Sequence, residues 1–325
     1  MWVYILRRIL QAIPILIGVN IITFALFFFV NSPDDIARVH LGNKYVTADA
    51  IEDWKSVHSY DLPLFYNGTQ KGFHTVTQTL FFQKSLKLFI LDFGVSDGDR
   101  DILQAIQERY KPSLQLAVPA LLLGLIVNIS IALLMVFFRG SYLDLWGIFI
   151  CVVLISISTL FYVIAGQYCL AKVLKWLPIS GYVDGWFAIK FLSLPILISI
   201  LASIGAESRW YRALFLEEID KDYVRTARAK GLSQLQILFT HVLKNALIPI
   251  LTGVVALLPL LFMGSLIMES FFDIPGLGSY TVDAIREQDF AIVRAMVFLG
   301  TVLYILGLLL TDIAYMLVDP RVTLQ

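Results

Sequence analysis

The chain has 325 residues, of which 58% are hydrophobic and only 15% charged, and its formal net charge is zero. A soluble domain of this size needs more charge to cover its surface, so the composition excludes an ordinary globular protein and describes one solvated largely by lipid. The zero balance excludes a global basic surface for nucleic acid. Two cysteines, four scattered histidines and no GxxxxGK[ST] stretch leave no metal-ligand spacing and no ATP-binding P-loop to read.

A helix needs roughly 20 mostly apolar residues to cross a hydrocarbon core about 30 Å thick. The first predicted span, Ile9–Val30, follows Arg7 and Arg8, which the positive-inside rule keeps in the cytoplasm. Phe27-Phe28-Phe29-Val30 stands where a cleavable signal would carry small residues, so this span is expected to be an uncleaved anchor. Residues 31–111 then lie outside, long enough for a small subdomain. Within them Leu80–Phe93 is apolar enough to lie against the membrane or to pack on other helices.

Five more spans are expected: Ser113–Phe138, Leu145–Leu170, Ala188–Ala206, Leu247–Met268 and Ile292–Val318. The fourth of the six carries Lys190 and Pro195. Cys151 and Cys169 share the third. If that span is one helix they are about 27 Å apart, beyond the roughly 7 Å a disulfide tolerates. Six spans place both termini inside, including the tail 319–325. They also place inside the connection Glu207–Asn245, with Arg209, Arg212, Lys221, Arg225, Arg228, Lys230 and Lys244. The short outer connections carry fewer positive charges, and Trp176, Tyr182 and Trp186 suit the headgroup level there.

The 207–245 connection is patterned rather than floppy. Asp220 is expected to cap a helix, with Asp222 near its positive end and Arg228 and Lys230 near its negative end. Gly231 suits a left-handed stop, and Ser233 with Gln236 forms a capping-box signature for a second helix running toward Pro249. Tyr223, Val224 and Ala227 share one face of the first helix. Pattern alone leaves two readings open: a basic amphipathic helix on the membrane surface, or a docking helix for a protein groove.

Asp222-Tyr-Val-Arg-Thr-Ala-Arg-Ala-Lys-Gly-Leu-Ser233, with His241-Val-Leu-Lys-Asn245 and Ile248-Pro249-Ile250, resembles the coupling loop of ABC importer permeases of the dipeptide/oligopeptide/nickel branch. Arg7-Arg8 with Pro14, Arg139–Asp144, Trp176–Gly181, Glu269–Gly278, Asp312–Tyr315 and Asp319-Pro-Arg321 occur in that family's order. Apart from much of 32–91 the resemblance covers the chain, and the long outside segment is similar to that of the B-type permease. Two departures stand out: Ser156-Ile-Ser158 replaces a Ser-x-Pro turn in the third span, and Asn31-Ser-Pro-Asp-Asp35 replaces Gly-Asp-Pro after the first.

The resemblance implies an all-α integral membrane protein with about six transmembrane helices. It has a periplasmic insertion after the first and a cytoplasmic coupling helix between the fourth and fifth. The segments would be an N-terminal helix to residue 30, a periplasmic segment 31–111, a permease core 112–318 and a cytoplasmic tail. The expected location is the bacterial inner membrane. A second permease subunit, two cytoplasmic ATPases and a periplasmic or lipid-anchored solute-binding protein are the implied partners, besides membrane lipids. No cofactor is implied on this chain and no catalysis; ATP and Mg would sit on the ATPases.

By resemblance, Glu218, Asp222, Tyr223, Val224, Ala227, Arg228, Gly231 and Leu232 are the ATPase-coupling residues. Glu269, Phe271, Phe272, Pro275 and Gly276 read as an outer gate, because Pro-Gly cannot continue a helix and irregular backbone near lipid must be covered. Gln115, Asn128, Ser156, Thr159, Pro195, Ser199 and Ser203 could line a pathway or bond between helices. Gly300, Gly307, Thr311 and Ala314 form a small-residue packing stripe, and Asp312 is an intramembrane carboxylate that favours a structural partner. An ion-driven transporter would need paired mid-span charges or inverted repeats, and a membrane enzyme clustered His, Asp or Glu residues. Neither pattern is evident in the sequence.

Overall fold

The computed structural model describes residues 2–30, 32–42, 46–68 and 74–318, with side chains given for 6–29, 32–42, 46–68 and 74–314. Asn31 and the expected tail 319–325 lie outside these residues. Among the described residues the regular structure is helical, with one isolated bridge between Val95 and Asp101. The helices are α1 (Trp2–Val30), α2 (Pro33–Leu41), α3 (Ala48–Val57), α4 (His74–Thr77), α5 (Leu80–Lys84), α6 (Ile102–Phe137), α7 (Tyr142–Ser156) and α8 (Thr159–Gly166). They continue with α9 (Ala188–Ile219), α10 (Asp222–Ala229), α11 (Gln234–Ile237), α12 (Leu243–Leu257), α13 (Leu266–Phe271), α14 (Leu277–Glu287) and α15 (Phe290–Val318).

Five helical stretches are long and apolar enough to cross a membrane: Leu6–Phe29, Ile102–Phe137, Ala188–Ile219, Gln234–Phe271 and Phe290–Ala314. The third expected span is the exception. It is not one helix but a pair, Tyr142–Ser156 and Thr159–Val173, bent by 92°. Counting the pair as one gives six.

The bend needs no proline. Ile157 and Ser158 are both extended, at ψ 128° and 142°. Ser156 Oγ donates back to the Val152 carbonyl at 2.9 Å, a local bond that competes with helix propagation. The Leu154 carbonyl at the break accepts the Ile157 N–H at 3.3 Å and the Tyr162 hydroxyl at 2.8 Å. A break at membrane depth is tolerated when the freed backbone groups find such partners. With the span bent, the straight-helix separation of Cys151 and Cys169 no longer applies; both are free thiols, the first buried and the second exposed.

α6 and α9 overrun their expected ends by more than two turns. Asp101 Oδ1 accepts the Gln104 N–H at 2.9 Å, so α6 starts there, well before Ser113. α9 continues past Ala206 to Ile219 because Ser208, Tyr211, Phe215 and Ile219 keep a buried stripe at helical spacing. Much of the expected 207–245 connection is therefore helix.

The described chain divides into two compact units, residues 2–110 with 280–309 and residues 111–279 with 310–318. In the first, Phe24 and Phe28 of α1 pack on Ile36, Tyr60 and Leu80. Trp54 stacks between His40 and His58. Of the two fates open to Leu80–Phe93, the packed one is realised: the Asn20 amide donates to the Ser85 carbonyl at 3.1 Å and Phe89 meets Phe298 edge-on. In the second unit α9 runs between two cores. One joins Leu192, Leu194 and Ile198 to Val163, Met268 and Phe272. The other joins Tyr211, Phe215 and Ile219 to Val224, Ala227, Ile237 and Val242.

Candidate functional site

Two structured elements stand at opposite ends of α9. At its C-terminal end, Asp220 does not cap the next helix as the sequence suggested. It closes α9 at φ −87°, ψ 0°, and its carboxylate faces Arg139 at 3.4 Å. The extended conformation a cap requires falls one residue later, at Lys221 (ψ 152°), whose side chain caps nothing.

α10 then turns its apolar face onto its own chain. Val224 and Ala227 are 0% and 4% exposed and join the core of Phe215, Ile219, Ile237 and Leu238. Tyr223 is half-buried; its hydroxyl donates to Glu218, which also receives Lys221, and Asn245 reaches the same hydroxyl. Burial first, then the Glu218 carboxylate, push this phenol up to about 12, so it remains a donor at physiological pH. Asp222, Arg225, Arg228, Lys230, Gly231 and Leu232 are exposed, as are Thr226 and Ala229.

The stop at Gly231 has the geometry its sequence implies. Gly231 sits at φ +79°, its N–H donates to Arg228 O at 2.9 Å, and the Leu232 N–H reaches Ala227 O at 3.4 Å. Ser233 and Gln236 exchange both capping-box bonds, at 3.4 and 3.0 Å. Gln234 donates to the Phe137 carbonyl at 3.1 Å, tying this turn to the end of α6. Nearby Arg212 makes a bidentate pair with the buried Asp144, at 2.9 and 2.8 Å. The charged face of α10 is thus exposed on a rigid mount.

At the other end of α9 the turn 264–279 is organised around one carboxylate. Glu269 is fully buried and accepts backbone N–H groups from Ser265 (3.0 Å), Gly278 (2.7 Å) and Ser279 (3.1 Å). Ser113 Oγ accepts the Leu277 N–H at 2.8 Å. A Cβ at Gly264 or Gly276 would stand 2.0 or 2.2 Å from the Glu269 oxygens, so glycine is required for the chain to wrap this closely. Phe272 is buried and Phe271 half-exposed; their carbonyls accept the Gly181 N–H at 2.8 Å and the Gln167 amide at 3.1 Å. Among the residues singled out from sequence, Gln115 accepts the Tyr182 hydroxyl at 2.6 Å.

Sequence reasoning missed one cluster. Asn128 on α6 donates to Ser203 at 2.9 Å and to Glu207 at 2.7 Å, and Ser208 donates to Asn128 at 3.4 Å. Asn128 and Ser203 were candidates, and they bond between helices. Glu207 was hidden because the fourth span was expected to end one residue before it. The available signal was that the buried stripe continues through Ser208 and Tyr211.

These features define a polytopic α-helical membrane protein with a charged helix displayed between two spans. Residues 114–324 match the family described as binding-protein-dependent transport system inner membrane component, and residues 1–116 match its N-terminal region. The chain belongs to this family, the membrane subunits of ATP-driven importers. It is similar to a Brucella suis (biovar 1) protein whose name is that of a peptide transport system permease, 33% identical over 326 residues and 98% of each chain. The oligopeptide transport system permease protein AppB of Bacillus subtilis is 29% identical, again over 98% of each. The dipeptide transport system permease protein DppB of Escherichia coli K12 is 26% identical over 98% of each.

Proposed function

We propose that this permease imports peptides or a closely related small solute across the bacterial inner membrane, with both termini cytoplasmic. The supporting observation is similarity along 98% of the chain to relatives named for peptides, dipeptides and oligopeptides. The transport unit would pair this chain with a second permease, two ATPases that hold ATP and Mg, and a solute-binding protein outside. No cofactor is assigned to this chain.

In this reading α10 is the coupling helix. Its exposed residues Asp222, Arg228, Gly231 and Leu232, with Arg225 and Lys230, meet an ATPase groove. Val224 and Ala227 act from behind, because they fix the helix to α9, α11 and the turn beyond it. Tyr223 and Glu218 lock the hinge between α9 and α10. Closure of the ATPases on ATP would then move α9 through this mount, and the cavity between the permeases would open outward. The Glu269 turn serves as an outer gate that moves as one body, with Phe271, Phe272, Pro275 and Gly276 carried by it.

The test separates coupling from folding. Arg225→Glu with Arg228→Glu alters only exposed side chains and leaves the core under α10 intact. Wild type should co-purify with a second permease and ATPases and take up labelled di- or oligopeptide. The double variant should reach the membrane in normal amount but lose the ATPases. Normal co-purification and uptake by the variant would remove the coupling role. Uptake that no peptide competes with would remove the peptide assignment.

A further inference from the structure

A cavity of 260 Å³ in the unit formed by residues 2–110 and 280–309 has no part in coupling or gating. Its charged lining consists of Lys84, Lys87 and Arg294 with His58, Asp92 and Asp99. Two independent observations bear on what it holds.

The first is depth. Ser85 accepts the Asn20 amide, and Asn20 stands nine residues before Phe29 at the end of the apolar span. At about 1.5 Å per residue this places Ser85 about 13 Å inside that end. Phe89 packs on Phe298, eight residues and so about 12 Å into α15. The segment 80–91 therefore packs alongside the outer halves of α1 and α15. At its end Ile90 and Leu91 are 76% and 53% exposed, an uncovered apolar pair. Arg294 is four residues, about 6 Å, into α15, so this lining residue stands nearer the end of that helix than Phe298 does.

The second is charge. Arg294 is 3% exposed; its Nε donates to the Phe290 carbonyl at 3.2 Å and its guanidinium lies over the Phe28 ring. Its Nη1 is buried without a hydrogen-bond partner among the described residues. The Lys84 ammonium lies over the Tyr60 ring at 4.6 Å. None of Lys84, Lys87 and Arg294 has a carboxylate within 4.0 Å among the described residues. The two acids of the lining are engaged, Asp92 with the Gly94 N–H at 3.2 Å and Asp99 with His58 at 3.4 Å. Behind the cavity Asp97 accepts the Tyr60 hydroxyl, and it and Asp289 act on Lys84 against the charge of Arg294.

We propose that this cavity binds the phosphodiester headgroup of an anionic phospholipid, with the acyl chains running past Ile90 and Leu91. Lysine and arginine are the residues that recognise phosphate. The cavity is smaller than the roughly 300–1,000 Å³ of drug-sized ligand sites, which fits a headgroup better than a peptide. The proposal stands whichever solute the permease carries.

The test uses the purified transport complex, stripped of lipid in detergent and titrated with phosphatidylglycerol, phosphatidylcholine or inorganic phosphate, with binding followed by native mass spectrometry and thermal unfolding. Wild type should retain phosphatidylglycerol over phosphatidylcholine and unfold at a higher temperature with it. Lys84→Gln and Lys87→Gln should each bind it about tenfold more weakly, the loss of one charge-assisted contact. Lys84 also lies over the Tyr60 ring, a contact that Lys87 does not share, so Lys87→Gln carries the test if Lys84→Gln folds poorly. Equal retention by wild type and Lys87→Gln would overturn the site. Protection by inorganic phosphate matching that of phosphatidylglycerol would overturn the lipid and leave a soluble anion.

Discussion

The two ends of α9 solve opposite problems. The turn 264–279 is closed inward at its centre: its buried carboxylate, its glycines and its backbone donors satisfy one another. The α10 segment is closed on one face only. Val224 and Ala227 disappear into the core while Asp222 and Arg225 have side chains 96% and 75% exposed. A rigid frame needs every polar group satisfied internally, since an orphaned buried donor costs about 1–3 kcal/mol. A coupling surface needs the reverse, namely charge held in place but left for a partner. The difference separates residues whose loss breaks the fold from residues whose loss breaks only the conversation with another chain.

Substitutions can break or sharpen that contrast. The largest effect is expected from Glu269→Ala, which strands three backbone N–H groups and should cost several kcal/mol. Loss of monodisperse protein on purification is the readout; an unchanged yield and thermal midpoint would show that the carboxylate does not organise the turn. Next comes Asp144→Asn, which leaves the Arg212 guanidinium without its bidentate partner and should cost about 3 kcal/mol. Gly231→Ala forces an L-residue to φ +79° and should cost about 1–2 kcal/mol, seen as a lower unfolding midpoint. Smallest in stability is Arg228→Gln, within about 0.5 kcal/mol on an exposed helix face. That variant should nonetheless lose ATPase-driven uptake. If Arg228→Gln and Glu269→Ala both act through stability, the contrast between the two ends disappears.

The same contrast bears on how a gating test is designed. Replacing Pro275-Gly276 with Ala-Ala would impair transport whether or not the turn is a gate, because a Cβ at Gly276 collides with the buried Glu269 carboxylate. Phe271, half-exposed and free of that collision, is the residue through which a gating role can be probed.

How far the sequence is legible follows from the range of the interactions. Gly231 and the Ser233–Gln236 box are local devices, and their spacing alone specifies them. The face of Tyr223, Val224 and Ala227 was readable as a face, but not what it meets: only the fold shows that α11 and the turn beyond it occupy it. Asp220 misled because the cap position depends on where α9 ends, and α9 runs on through a stripe whose partners lie elsewhere in the chain. The bend at Ile157-Ser158 has no proline to announce it, and the Tyr162 hydroxyl that supports it acts across eight residues. Glu269–Gly278 was visible as a Pro-Gly turn, whereas the central role of the Glu269 carboxylate was not, nor was the part of Gly264, which lay inside the expected fifth span. Asn128 and Glu207, 79 positions apart, meet only because α6 and α9 pack.

The central claim is that the exposed face of α10 meets an ATPase. Disulfide-length cross-linking from cysteines introduced one at a time at positions 225, 228 and 232, in a chain with Cys151→Ala and Cys169→Ser, tests it most directly. The account predicts cross-links from these positions to an ATPase subunit, altered by ATP, and none from position 224 or 227 beneath the helix. An intact complex that cross-links from neither face of α10, while positions elsewhere on the chain do reach the ATPase, would contradict it.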